Sequence, residues 1–101
     1  MGVVLVRTNF NNKVGLGHLF RMKHLAKKLS KKNEVIFILD KKNTITEKII
    51  DFQCIYLYVG KKKYTSQIQD AKKVQKETIK KKTDLIIVDD YRFNNVWENY
   101  F

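Results

Sequence analysis

Two short blocks of the sequence hold residue types that do chemistry when a fold brings them together. The first is Gly15-Leu16-Gly17-His18 and the second is Asp89-Asp90-Tyr91. Glycines two apart allow a tight turn and close backbone approach. A helix that starts there turns its free N–H groups outward, which suits an anionic ligand or a developing negative charge. A histidine in the first helical turn sits in a field that favours neutral imidazole, a competent general base; the alternative for His18 is a side chain that only caps the helix. Asp89 or Asp90 can orient such a base, hold a sugar hydroxyl, or cap the next helix. Neighbours on an extended segment point apart, so the two are not expected to form one catalytic carboxylate pair. Tyr91 either offers its phenol to a ligand or packs against its loop. His24, set among lysines, reads as a surface residue, and Cys54, inside an apolar run, as a core thiol.

Other chemistries are excluded by what the blocks lack. A dinucleotide fingerprint needs a third small residue where Phe20 stands, and only Asp40 ends the second strand. No Gly-Lys-Ser/Thr follows the glycines, so there is no P-loop. The single cysteine rules out an internal disulfide and a cysteine-based zinc cluster. No cofactor and no metal are expected.

The elements that position the blocks follow from hydrophobic period. Gly2 to Arg7, Glu34 to Asp40, Gln53 to Val59 and Asp84 to Asp90 are short aliphatic runs that read as buried strands. Leu19, Met22, Ala26 and Leu29 recur at helical spacing from His18 to about Lys32. A short helix is expected over Thr44 to Asp51. A longer one over Tyr64 to Lys82 would bury Tyr64, Ile68, Ala71, Val74 and Ile79, and a last one begins at Asn94. Thr8 to Gly17, rich in Asn and Gly, reads as a loop. Strand and helix alternate throughout, which predicts an α/β, Rossmann-like parallel sheet of about four strands with flanking helices. Sites in such sheets form beyond the carboxyl ends of the strands, where both blocks fall.

The chain has 101 residues, 21 Lys+Arg against 10 Asp+Glu, and a formal net charge of +11. Of the cations 18 are Lys and only Arg7, Arg21 and Arg92 are Arg, accompanied by 8 Asn, 10 Ile and no Pro. Phosphate- and base-reading surfaces favour the arginine fork, and no nucleic-acid motif is present. The charge reads as a solvated lysine coat from A/T-rich codons, and no nucleic-acid partner is expected. No apolar run approaches the roughly 20 residues of a membrane helix, and the first residues lack a signal-peptide pattern. A cytoplasmic location is expected.

Taken together, Val6-Arg7-Thr8-Asn9, Val14-Gly15-Leu16-Gly17-His18-Leu19-Phe20-Arg21 and Leu25-Ala26-Lys27-Lys28-Leu29, followed by Leu85-Ile86-Ile87-Val88-Asp89-Asp90-Tyr91 and Trp97-Glu98, resemble the start of the UDP-2,4-diacetamido-2,4,6-trideoxy-β-L-altropyranose hydrolases of pseudaminic acid biosynthesis. These are similar to spore-coat polysaccharide biosynthesis proteins. The resemblance implies the N-terminal half-domain of a glycosyltransferase-B fold, with the active site between two domains. Water would attack the anomeric carbon of a UDP-sugar with inversion, UDP would leave, and His18 would be the base. It also implies that Tyr91 lines the sugar pocket and that Arg7 and Arg21 lie near the cleft. With Gly15, Gly17 and Asp90 these complete the expected substrate-binding set. Asn9 stands where most members carry Asp, which puts in doubt any role of that carboxylate in orienting the histidine. Residues 1–101 would be a truncated N-terminal domain, inactive alone because the UDP-binding domain is missing. The rival readings are a glycosyltransferase of the same half-fold, with an acceptor hydroxyl replacing water, and a non-catalytic basic domain that binds nucleic acid or anionic surfaces.

Overall fold

The computed structural model describes residues 2–10 and 15–101. Residues 11–14, part of the expected loop and of the glycine block's approach, lie outside the described residues.

Eight elements alternate as β1 (Gly2–Thr8), α1 (Leu16–Leu29), β2 (Asn33–Leu39), α2 (Thr44–Ile49), β3 (Gln53–Tyr56), α3 (Gln67–Lys80), β4 (Leu85–Asp89) and α4 (Asn95–Glu98). The strands form one four-stranded sheet in the order β3-β2-β1-β4, with every pairing parallel. This is the expected α/β architecture. The chain moves outward from β1 to β2 and β3, then returns to place β4 on the other side of β1. The direction of winding therefore reverses between β1 and β4, where Thr8 is in register with Asp89.

Alternation along the strands splits the core into two layers. Val4 and Val6 of β1, Val35, Phe37 and Leu39 of β2, and Ile87 of β4 face α1, which supplies Leu19, Met22 and Ala26. Leu5, Ile36, Ile38, Ile86 and Val88 face the other way, onto Ala71 and Val74 of α3 and Trp97 of α4. Both faces are covered, which is why the strand sequences are continuously aliphatic.

The helix starts have local causes. Asn43 caps α2 by accepting from the amides of Ile45 and Thr46, and Ser66 caps α3 by accepting from Gln69. Gly15 precedes α1 at φ 80°, a left-handed conformation that disfavours a side chain.

Three expectations need correction. The third strand ends at Tyr56, not Val59: Leu57 and Tyr58 still donate to Leu39 and Asp40, but the chain bends and Val59 is exposed. The helix expected from Tyr64 starts at Gln67, because Ser66 caps it. Its buried stripe is Asp70, Ala71 and Val74, while Ile68 and Ile79 face outward. An aspartate occupies the core position that an aliphatic stripe would have claimed. Among the described residues no helix is long and apolar enough to cross a membrane.

Candidate functional site at the ends of β1 and β4

α1 begins at Leu16, so His18 lies in its first turn and Gly17 is a helical residue whose added Cβ would meet none of the described residues within 4 Å. Of the two glycines, only Gly15 makes the turn by a positive φ. The turn aims His18 across the sheet end. Its Nε2 lies 2.8 Å from Thr8 Oγ1, and that hydroxyl donates to the Asp89 carbonyl, also at 2.8 Å. Its Nδ1 lies 3.3 Å from Arg21 Nη2 and 3.8 Å from Asp89 Oδ2. The Phe10 ring leans on the imidazole at 5.4 Å between centroids. Thr8 is fully buried, while the Asp89 carboxylate is about half exposed. One base-capable ring is thus held by groups from β1, β4 and α1 at the place where the sheet's winding reverses, the position at which open parallel sheets take ligands.

Beneath it runs a chain of alternating charge. Arg7, the next-to-last residue of β1, points to the α3 face and is fully buried. Its Nε and Nη2 donate to Asp70 at 3.0 and 2.6 Å, and Nη2 also to Asp40 at 2.7 Å. Nη1 donates to the carbonyls of Thr8 and Ile38 at 2.8 and 3.2 Å. All five guanidinium hydrogens are therefore committed. Arg7 thus braces the floor of the strand ends and has no donor left for a ligand.

Asp70 also accepts from the Tyr58 hydroxyl at 2.5 Å and from Trp97 Nε1 at 3.1 Å. Burial, and then the bond to Asp70, pushes the Tyr58 phenol well above its ordinary range, so it stays a donor. Asp40 accepts from Arg92 as well, through Nη1 at 2.8 Å and Nη2 at 2.9 Å. Burial raises the Asp40 carboxyl, but the bonds from Arg92 and the charge and bonds of Arg7 outweigh it. The net direction is below the usual carboxylate range.

Asp90 ends the network. Its side chain is almost fully buried and accepts from the Arg92 amide, Nε and Nη2 at 3.0, 2.9 and 2.6 Å. As anticipated, Asp89 and Asp90 point apart, one toward His18 and one toward Arg92. Asp90 closes the turn after β4 and locks Arg92. Tyr91 follows and is 80% exposed.

Arg21 and His24 are exposed residues along a shallow groove on α1 with Gly17 and Phe20. Cys54 donates weakly to the Phe52 carbonyl at 3.5 Å and packs on the α1-side core, and burial pushes its thiol up. Beside the site, a cavity of about 270 Å³ opens over the ends of β1 and β2, lined by Asn9, Asp40, Tyr58, Lys63 and Tyr64 among others. Among the described residues no group of three His, Cys, Asp or Glu side chains is placed to hold a metal ion.

Sequence reasoning missed Thr8, Asp70 and Arg92. A signal existed for Asp70. Arg7 shares strand parity with core residue Leu5, so a buried cation there demands a carboxylate. Asp70 stands four residues before core residue Val74, on the same helical face. Nothing local marks Arg92, whose partners include a residue 52 positions away. Comparison with protein-family models, with curated proteins and with solved structures returned no significant match.

Proposed function

We propose that this chain is an N-terminal fragment of a nucleotide-sugar hydrolase of the glycosyltransferase-B type. It would release UDP from a UDP-2,4-diacetamido-2,4,6-trideoxy-hexose. The observation that carries the reading is His18 held between Thr8 and Asp89 at the winding reversal of a parallel sheet. In this reading His18 takes a proton from water as the water oxygen bonds to the anomeric carbon. The bond from that carbon to the diphosphate breaks, its electron pair leaves with UDP, and configuration inverts. Arg21 and Tyr91, both exposed at the rim, are free to meet the substrate, whereas Arg7, Arg92 and Asp90 keep the floor rigid. A second domain supplies the nucleotide site, and with it the binding energy that positions the sugar.

The test mixes this chain with a separately expressed nucleotide-binding domain of a family hydrolase and follows UDP release and the sugar product. Release with free sugar is expected from the mixture and not from this chain alone. His18→Ala should lower it by about 10²–10⁴, the range of general-base contributions. Unchanged release with His18→Ala would remove the role of His18. Sugar transferred to an acceptor would make the chain a transferase fragment instead.

A further inference from the structure

We infer that Thr8 is the positioning residue of this site: by taking a hydrogen bond from Nε2 it fixes the His18 tautomer and leaves Nδ1 as the nitrogen that accepts a proton. The Thr8 hydroxyl has one hydrogen. It lies 2.8 Å from the Asp89 carbonyl, which can only accept. Were that hydrogen turned to the ring, two acceptor oxygens would face each other at 2.8 Å, so it points to Asp89. The contact from His18 Nε2 to Thr8 Oγ1 must then be donated by the ring, and Nε2 carries the proton. The opposite side of the ring agrees independently. Arg21 can only donate, and its Nη2 lies 3.3 Å from Nδ1, which therefore presents a lone pair.

The two bonds differ in permanence. Thr8 is fully buried, on a central strand and in register with Asp89, so its hydroxyl is held by the sheet itself. The Arg21 bond is long and exposed, and it yields readily to water or substrate. A proton reaching Nδ1 would face Asp89 Oδ2 at 3.8 Å. One residue of β4 thus serves both nitrogens, its carbonyl anchoring Thr8 and its carboxylate facing the charge formed at Nδ1. Which proton is moved rests on the proposed hydrolysis; the tautomer is a property of this chain alone.

The test is a long-range ¹H–¹⁵N correlation of the imidazoles in the uniformly ¹⁵N-labelled chain, at a pH about two units above the ordinary histidine value of about 6.5. His24, exposed on the same helix, is the internal reference for an unconstrained ring. His18 is expected as a single Nε2–H tautomer beside a mixed pattern for His24. Thr8→Val, close in shape, should move His18 to the His24 pattern. Thr8→Ser should keep the single tautomer, and so should Arg21→Ala. A His18 pattern matching His24 in the unaltered chain would overturn the inference, and so would a single tautomer that survives in Thr8→Val. The first of these readings needs no variant to fold. In the mixed-domain assay Thr8→Val should cut kcat at least about tenfold, with KM changed by less than about twofold. If the spectra behave as expected and no UDP is released, the hydrolase reading falls and the tautomer assignment stands.

Discussion

At the residue scale, Asp40 shows how buried charge at the cleft floor is tolerated. It joins Arg7 of β1 to Arg92 of the turn after β4, with close contacts on both. Its carboxyl is held below the usual range in the fold, whereas an unfolded aspartate titrates near about 3.9. The stabilising contribution is therefore present above that value and is lost as pH falls through the depressed one. Urea unfolding at stepped pH should show stability dropping below about pH 4. Asp40→Asn should flatten that part of the profile while lowering stability near neutrality, because two guanidinium groups lose their shared carboxylate. An unchanged acid slope in Asp40→Asn would show that other carboxylates carry it. Asp40 was visible in the sequence as the acid ending the second strand; that it bridges two arginines was not, since neither partner is near it in the chain.

At the element scale, the start of α1 separates two glycines that look alike in sequence. Gly15 turns the chain at φ 80° and Gly17 is helical, and among the described residues an added Cβ would meet nothing within 4 Å at either. Gly15→Ala is therefore expected to cost about 1–3 kcal/mol from backbone strain alone. Gly17→Ala should be neutral or stabilising by up to about 1 kcal/mol, because it lowers the entropy of the unfolded chain. Thermal unfolding of the two variants checks this, and a Gly17→Ala variant less stable than Gly15→Ala would contradict it. If Gly17→Ala also weakens UDP release in the mixed-domain assay without loss of stability, its bare backbone serves the ligand. The α1 stripe was legible, since Leu19, Met22 and Ala26 are buried as spaced. The α3 stripe was misread because hydropathy cannot recognise an aspartate as a core residue when its partners lie on other elements.

At the scale of the whole molecule, Asp70 ties the far layer together. From α3 it accepts hydrogen bonds from Arg7 of β1, Tyr58 beyond β3 and Trp97 of α4. An aromatic run continues outward through Phe93, stacked on Trp97 at 5.1 Å, and Tyr64, over which Arg92 lies at 4.3 Å. Asp70→Ala leaves Arg7 buried with much of its charge unpaired, a change that costs about 3–5 kcal/mol. Small domains have only about 5–15 kcal/mol in all, so equilibrium denaturation should find this variant unfolded or close to it. A loss below about 1 kcal/mol would show that Arg7 finds other partners. The same network explains why three of the strand-end residues with charge face inward while the lysine coat faces out.

The sequence by itself determined the order and type of the elements, the burial of the strands on both faces, and the two blocks that meet at the sheet end. Hydrophobic period, capping residues and glycine punctuation act over a few residues, so they can be read locally. Only the tertiary structure decided which side chains of those blocks remain free to act. Arg7 and Asp70, 63 residues apart, satisfy one another and become framework. Thr8 and Asp89, 81 apart, come into register and hold His18. Hydrogen-bond capacity is finite, and how each group's share is spent depends on parallel pairing and helix docking, which no local pattern records.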